Sequence, residues 1–413
     1  MLNRIKSLGK DELMRGSLVL FIMFGIYNVL NYVFQISMAR MLGPADYGIL
    51  AVLMSIIYIF GIPSEAIQTV ITKYTSKFSV NNNLGKVKDL LFRSIKKGFI
   101  FATASFILLI PLSFLLSHLL DIKISLLIFS FFFIFFVFLV SINRGVLQGR
   151  KEFVHLGVNL VIESLVKVIF SIFLVWIGWR LYGAIVGVLI GGLLSFILTF
   201  FIIRNILAAK RERAEFYNIY ETNFPILIAM ISIVLMYSLD IIFARAFFSP
   251  QIAGEFAFVS LIGKVIIFIS SSIGKTMFPL TSQEFEKGKN TFSLFKKAVL
   301  LVFFISAVAL VFYYFFPVEI ISLVSLGSNQ YLGAAGILFI LGVSYTLLSI
   351  SNIIVLYNLS INKIIKRAYF LPVFVLIEIF LLLIFNNNLM EFAVSLLVSN
   401  LLIFLYSLFL LRK

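Results

Sequence analysis

The feature that most constrains this chain is a series of long apolar stretches that recurs along nearly its whole length. Each stretch has about 18 to 25 residues, enough for one helix to cross a hydrocarbon core of about 30 Å. Backbone polar groups inside lipid must bond within their own segment, so these stretches predict membrane-spanning α-helices. We place twelve spans at residues 16–38, 48–72, 98–120, 124–142, 154–178, 182–206, 224–248, 252–274, 293–316, 331–357, 366–386 and 390–411.

The composition also indicates a membrane protein. Hydrophobic residues make up 62% of the chain and charged residues 13%, whereas soluble domains have about 45–50% and about 25%. The net charge of +16 does not indicate a nucleic-acid partner, because the basic residues lie in short loops beside the spans, where they contact anionic lipid headgroups. Cys is absent, which excludes disulfides. No cleavable signal peptide is evident, so we expect a retained first span.

The Lys and Arg residues are distributed unevenly over the two sides of the predicted membrane. With twelve spans, 28 of the 34 lie at the termini and in alternate loops on one side, three lie in loops on the opposite side, and three lie within spans. Basic loops stay in the cytoplasm. We therefore predict a multi-pass protein of the cell membrane with both termini in the cytoplasm.

A short motif occurs twice, at 36–57 and at 241–262, and each copy joins two spans on the outer side. Both copies contain Ala-Arg, then Pro, Gly and Ala at nearly equal spacing. The matched residues are Ala39, Arg40, Pro44, Gly48 and Ala51 in the first copy and Ala244, Arg245, Pro250, Gly254 and Ala257 in the second. Pro and Gly indicate a tight turn at each junction. Copies six spans apart keep one orientation, which indicates a parallel repeat about an axis along the membrane normal.

The repeat predicts an all-α polytopic membrane protein with twelve transmembrane helices in two six-helix lobes related by a pseudo-two-fold axis. We assign 1–206 to the N-terminal lobe, 207–222 to a polar cytoplasmic linker and 223–413 to the C-terminal lobe. Two like lobes that rock about a central site are a design that transporters use.

Ionisable side chains inside the spans are the main candidates for function, since each costs at least about 2.5 to 3.5 kcal/mol to insert. Helix five carries Asn159, Glu163, Lys167 and Ser171 at steps of four, which places them in one polar stripe. Two interpretations stay open. Glu163 and Lys167 pair within the helix, or the stripe lines a water-filled cavity.

A second candidate position is Lys264, near the centre of helix eight and on one face with Ser260, Ser271 and Lys275. No acid lies four residues from Lys264, so its partner must come from another helix, and Asp240 on helix seven is the obvious candidate. The pair is either structural or contacts a substrate.

Other polar residues complete the predicted site. Glu378 in helix eleven is either protonated and structural or a proton carrier, and the amides of helix one favour helix packing. Together the spans predict a cavity with positive charge, which suits an anionic group. The substrate-binding candidates are Lys167, Lys264, Arg40, Arg144 and Arg245, and the candidates for polar lining or ion coupling are Asp240, Glu163, Glu65, Glu378, Asn31 and Gln35.

The sequence shows no signal for an enzyme, a metal or a cofactor. The two His residues, His118 and His155, are far apart in the chain, and no GxxxxGK[ST] phosphate-binding motif occurs. The cytoplasmic carboxylates are scattered among Lys and Arg, so no paired Mg²⁺ site is indicated. We therefore expect neither catalysis nor a bound cofactor nor a metal site.

The stretch ARMLGPADYGILAVLMSI at 39–56, with its echo at helix seven, resembles the polysaccharide biosynthesis family of Wzx-type oligosaccharide flippases. That family belongs to the multidrug/oligosaccharidyl-lipid/polysaccharide exporter superfamily. The resemblance implies two six-helix lobes facing each other in a V and alternating access. It further implies transfer of a lipid-pyrophosphate-linked oligosaccharide from the cytoplasmic to the outer leaflet, for synthesis of cell-surface polysaccharide.

The resemblance also implies the partners. These are the lipid-linked oligosaccharide, the membrane lipids and a glycan polymerase or glycosyltransferases; we expect a monomer and no nucleic acid. The alternative is a cation-coupled multidrug exporter of the same superfamily, in which Asp240, Glu65 or Glu163 alternately binds ion and drug. A flippase predicts loss of glycan export on charge reversal at Lys264, and a drug exporter predicts loss of resistance in Asp240→Asn.

Overall fold

The computed structural model describes residues 2–80, 83–213, 220–361 and 367–411 of the 413-residue chain. Within these ranges every regular element is a helix and no strand occurs. Ten helices in the described ranges are long and apolar enough to cross a membrane. Large apolar side chains cover their outer surfaces; Leu108 is 72% exposed and Trp176 is 75% exposed. The prediction of an all-helical, multi-pass membrane protein is therefore confirmed.

Two of these ten helices are much longer than one crossing needs. Ile22–Ser79 has 58 residues and Phe153–Ile202 has 50, and at about 1.5 Å per residue even the shorter is more than twice as long as a core of about 30 Å is thick. Each is kinked at a glycine with positive φ, Gly43 at 74° and Gly178 at 98°. Glycine adopts this conformation without a Cβ clash. The helix is therefore broken at Gly43, within the junction where the sequence predicts a turn after the first span.

The helices form two compact units, one of Met1–Leu42 with Phe60–Ile219 and the other of Gly43–Ile59 with Tyr220–Lys413. The first helix, α1 (Leu2–Val80), contributes to both. The first unit also contains α2 (Leu84–Leu120), α3 (Ile124–Phe131), α4 (Phe133–Gly149), α5 (Phe153–Leu174), a π-helical turn (Val175–Trp179), α6 (Arg180–Ile202) and α7 (Arg204–Ala208). Its apolar core includes Leu91, Val146 and Ile203, all fully buried.

The second unit is built from the rest of the chain. Its helices are α8 (Tyr220–Met236), α9 (Leu239–Phe247), α10 (Pro250–Gly263), α11 (Val265–Glu286), α12 (Phe292–Phe315), α13 (Pro317–Val324), α14 (Leu338–Ser360), α15 (Leu371–Ile384) and α16 (Leu389–Leu411), with 3₁₀ segments at Asn329–Ile337 and Arg367–Phe370. Met277, Phe295 and Ile353 lie in its apolar core.

The segment Gly43–Ile59 packs against α10 inside this second unit, although it precedes α10 by about two hundred residues of chain. A Cβ atom on Gly254 would lie 1.8 Å from the carbonyl oxygen of Pro44, and one on Gly48 would lie 3.1 Å from Cα of Gly254. The Tyr47 ring lies 6.0 Å from the Phe258 ring. Pro44 and Gly48 of the first motif copy therefore meet Gly254 of the second at this crossing.

Candidate functional site

A group of charged side chains lies inside the first unit, and we call Arg144, Glu163 and Lys167 the basic cluster. Arg144 on α4 donates from Nε to Asn159 Oδ1 at 2.8 Å and from Nη2 to Ser195 Oγ at 3.1 Å. The same Nη2 forms an ion pair with Glu163 on α5. The Arg144 and Glu163 side chains are 11% and 17% exposed. Glu163, the acid that could neutralise Lys167, is thus paired mainly with Arg144.

Lys167 lies one turn after Glu163 on α5 and finds neutral partners. Its Nζ donates to Asn31 Oδ1 on α1 and lies 4.6 Å from the centroid of the Phe34 ring. Lys167 is partly exposed. Glu163 still attracts it electrostatically, but no hydrogen bond between the two is present. Of the two interpretations that the sequence left open, the pair within helix five is therefore replaced by a pair between helices, Arg144 with Glu163.

The glycines of α6 bring this helix close enough to α5 to set the positions of both charged residues on α5. A Cβ atom on Gly187 would lie 2.1 Å from Ser171 Oγ, and one on Gly191 would lie 2.8 Å from the Glu163 carbonyl oxygen. Residues without side chains allow helix backbones to approach in membranes. These glycines therefore act in helix packing, and Ser195 on the same helix can reach Asn159 and Arg144.

The other side of Arg144 is fixed by contacts between α4 and the part of α1 that follows Phe60. Gln68 Nε2 donates to Gln148 Oε1 at 2.9 Å, and Thr72 Oγ1 donates to the Gly145 carbonyl oxygen at 3.2 Å. Gly145 neighbours Arg144 in the sequence, so these bonds fix the helix turn that carries the guanidinium. Gln68 and Thr72 thus act in helix packing.

A second charged group lies inside the second unit, and we call Asp240, Lys264 and Glu378 the acidic cluster. Lys264 Nζ lies 2.9 Å from Asp240 Oδ1 and 2.8 Å from Oδ2, with the two side chains 5% and 0% exposed. Ser260 Oγ donates to Asp240 Oδ2 at 3.0 Å and Tyr345 OH donates to it at 2.6 Å. Asp240 is therefore the partner that the sequence predicted for Lys264.

Glu378 on α15 is the third member of the acidic cluster and is fully buried. Its Oε2 accepts a hydrogen bond from Ser399 Oγ on α16 at 3.2 Å. Its Oε1 has no hydrogen-bond partner among the described residues. Glu378 interacts electrostatically with both Asp240 and Lys264, so the three groups form one electrostatic unit.

The remaining predicted site residues differ in burial. Asn31 lies beside the basic cluster through its bond to Lys167. Arg40 and Glu65 are exposed, whereas Gln35 and Arg245 are buried. The side chain of Lys275, predicted to share a face with Lys264, lies outside the described residues.

Three hydroxyl partners of the clusters were not singled out from the sequence: Ser195, Tyr345 and Ser399. A single hydroxyl in an apolar helix carries little signal, because such groups often bond to their own backbone, as Ser164 does with the Leu160 carbonyl oxygen at 3.1 Å. In the part of the chain that is described, no three or more His, Cys, Asp or Glu side chains are placed to hold a metal ion.

Solved structures with a similar fold are transporters. A multidrug resistance MATE family transporter of the MOP superfamily in an inward-facing conformation has a TM-score of 0.68 at 15% identity, covering 93% of this chain and 94% of that one. A MOP superfamily transporter from Pyrococcus furiosus, described as having a binding pocket of reverse polarity, has a TM-score of 0.68 at 13% identity and coverages of 97% and 94%. Identities this low establish the fold alone, which this chain shares with those transporters.

A sequence profile described as polysaccharide biosynthesis protein matches residues 13–285, about two thirds of the chain. The protein therefore belongs to the polysaccharide biosynthesis protein family. No curated protein sequence matches the chain.

Proposed function

We propose that this protein is a flippase that moves a lipid-pyrophosphate-linked oligosaccharide from the cytoplasmic to the outer leaflet by alternating access, for synthesis of cell-surface polysaccharide. The observation that carries the proposal is the basic cluster. It holds two cations and one acid inside membrane-spanning helices, and its Lys167 is partly exposed and donates a hydrogen bond to the neutral Asn31 side chain. The family membership supports the link to polysaccharide synthesis.

The excess positive charge suits a pyrophosphate. Arg144 and Glu163 neutralise each other, which leaves the charge of Lys167 available to an anion. Hydrogen bonds between a cation and a phosphate oxygen are among the strongest in proteins. Because a lysine inside a bilayer is costly, a bound anionic headgroup gives a reason for its presence.

Lys264 was the second lysine predicted to contact the substrate. Its side chain is 5% exposed and bonds both oxygens of Asp240, so we assign the substrate contact to Lys167 and a separate role to Lys264. Arg40 and Arg245 remain proposed contacts at the outer side, and Arg144 acts by holding Glu163 away from Lys167.

The proposed topology follows the distribution of basic residues. Ile22–Ser79 and Phe153–Ile202 each cross the membrane twice, which brings the ten long helices to twelve crossings. Both termini and the linker at 207–222 lie in the cytoplasm, the lobes comprise 1–206 and 223–413, and the protein acts as a monomer in the cell membrane.

The second candidate function is a cation-coupled multidrug exporter. The observation that favours it is the sealed acidic cluster, since a buried acid inside a membrane marks an ion or proton pathway. In that case Asp240 binds the coupling ion, and Asp240→Asn abolishes efflux of a cationic dye.

The test compares the two candidates in reconstituted vesicles. The probe for the flippase is undecaprenyl pyrophosphate bearing an NBD-labelled sugar, whose outer-leaflet fraction is read by dithionite quenching. Lys167→Glu should slow its transfer at least about tenfold, because a charge-assisted contact of about 1.5–3 kcal/mol is lost. Lys167→Arg should keep most of the rate.

The matched control is Lys97→Glu, which reverses one charge at an exposed position outside the basic cluster. It should leave the rate unchanged. An unaltered rate in Lys167→Glu would overturn the flippase assignment, and loss of cationic dye efflux in Asp240→Asn alongside it would favour the drug exporter.

A further inference from the structure

The acidic cluster contains more acid than base. Asp240 and Glu378 are both fully buried. Among the described residues, the basic side chain that pairs with Asp240 and acts electrostatically on Glu378 is Lys264, which is 5% exposed. If all three were ionised, one negative charge would remain uncompensated in surroundings that exclude water. An isolated buried charge is far less favourable than a buried neutral group, so the cluster requires one further positive charge.

The groups that face Glu378 are the ones that decide where this charge lies. They are Asp240 from α9, Lys264 from the junction of α10 and α11, Tyr345 from α14 and Ser399 from α16. Tyr345 and Ser399 are neutral hydroxyl groups. Asp240 and Lys264 already neutralise each other through two short contacts.

Hydrogen bonding distinguishes the two acids. Asp240 accepts bonds from Lys264, Ser260 and Tyr345, and its Oδ1 also accepts from the Ile241 backbone N–H at 2.7 Å. Donors to the charged form of an acid stabilise that form. Glu378 accepts one bond, from a hydroxyl, and its second oxygen accepts none within the described residues. The surroundings thus favour Asp240 as the carboxylate and Glu378 as the neutral acid.

We infer that the acidic cluster is a binding site for one proton, which Glu378 holds as a carboxylic acid beside the Asp240–Lys264 ion pair. Release breaks the O–H bond of Glu378, transfers the proton to water and changes the cluster from neutral to a charge of −1. Lys264 then lies under the attraction of two carboxylates in place of one. The site is separate from the basic cluster, and the inference does not depend on which substrate is carried.

The test is infrared difference spectroscopy of the full chain in lipid vesicles at neutral pH. An ordinary Glu titrates near about 4.3, so exposed acids are ionised and a carboxylic acid C=O band reports a buried proton. The wild type should show one such band. Labelling all Glu carboxyl groups with ¹³C should shift the band, and Glu378→Gln should remove it.

Two further variants sharpen the measurement. Glu163→Gln changes the acid of the basic cluster, which is paired with Arg144, and should keep the band. Lys264→Met removes the one base of the acidic cluster, so a second acid must hold a proton and the band area should roughly double.

Three results would overturn the inference: no band in the wild type, a band that ¹³C-glutamate does not shift, or a band that disappears when sodium or potassium is added at neutral pH. The last result would assign the extra charge to a metal cation. The isotope label needs no substitution, so the answer does not depend on whether Glu378→Gln folds. Because protonation is measured and not transport, failure here is distinct from failure of the flippase proposal.

Discussion

The basic cluster and the acidic cluster use the same chemical groups in opposite proportion. The basic cluster has two cations and one acid, its ion pair is 11% and 17% exposed, and Lys167 is partly exposed. The acidic cluster has one cation and two acids, and its members are between 0% and 5% exposed. In the first the surplus charge is positive and accessible, and in the second it is negative and sealed.

This difference shows that a lysine inside a membrane helix does not by itself indicate one role. Lys167 and Lys264 look alike in the sequence, each at the middle of an apolar helix. The partner decides the role: an acid seals Lys264 into the protein, whereas an amide leaves the charge of Lys167 uncancelled. The following variants test that contrast.

The largest expected effect is on the acidic cluster. Asp240→Ala removes the carboxylate that pairs with the buried ammonium of Lys264 and accepts hydrogen bonds from Ser260 and Tyr345, which should lower the free energy of unfolding by about 3–5 kcal/mol. Chemical unfolding of the purified protein in detergent measures the change. Glu163→Ala is the matched variant and should cost less than half as much, since Arg144 keeps Asn159 and Ser195 and is partly exposed. Equal losses would contradict the contrast between a sealed and an accessible cluster.

An intermediate effect is expected where α6 supports the basic cluster. Gly187→Ala adds a Cβ atom 2.1 Å from Ser171 Oγ and 2.5 Å from Ser171 N, so α5 must move and the free energy of unfolding should fall by about 1–3 kcal/mol. Because α5 carries Lys167, transfer of the labelled lipid pyrophosphate should also slow, whereas the carboxylic acid band of the acidic cluster should persist.

Gly61→Ala is the control for this variant, since no atom lies within 4 Å of the added Cβ. It should leave stability unchanged or raise it by up to about 1 kcal/mol, because Ala favours helix. A slower transfer rate in Gly61→Ala of the same size as in Gly187→Ala would show that the close approach of α5 and α6 is not the cause.

The smallest effect is expected at Tyr345. Tyr345→Phe removes one hydroxyl donor to Asp240 and keeps the ring, whose centroid lies 5.5 Å from Lys264 Nζ. The loss should be about 1 kcal/mol, the usual contribution of one hydrogen bond, in the same unfolding measurement. Tyr182→Phe, which removes an exposed hydroxyl bonded to Ser125, should change stability by no more than a few tenths of a kcal/mol. No loss in Tyr345→Phe would argue that Lys264, Ser260 and the Ile241 N–H stabilise the Asp240 carboxylate without help from the Tyr345 hydroxyl.

Hydropathy was sufficient to predict the helical, multi-pass fold, because the bilayer imposes one solution on every apolar stretch. The positions of the spans also allowed the Asp240–Lys264 pair to be predicted, because few acids lie at the depth of Lys264 in the membrane. Hydropathy did not predict that Arg144 takes Glu163 from Lys167. Helices that are apolar all round do not indicate which face meets which neighbour, so Arg144 was predicted only as a substrate contact.

At the crossing of Pro44 with Gly254, the residues of one motif copy limit which residues the other copy can have. The carbonyl oxygen of Pro44 occupies the space where the Cβ atom of a side chain at position 254 would lie. A larger residue in one copy alone would therefore clash with the other copy. Only a matched change on both sides could restore the fit. The two motif copies must therefore be complementary in shape. A chimera that exchanged one copy for a relative's sequence would need to exchange the other as well.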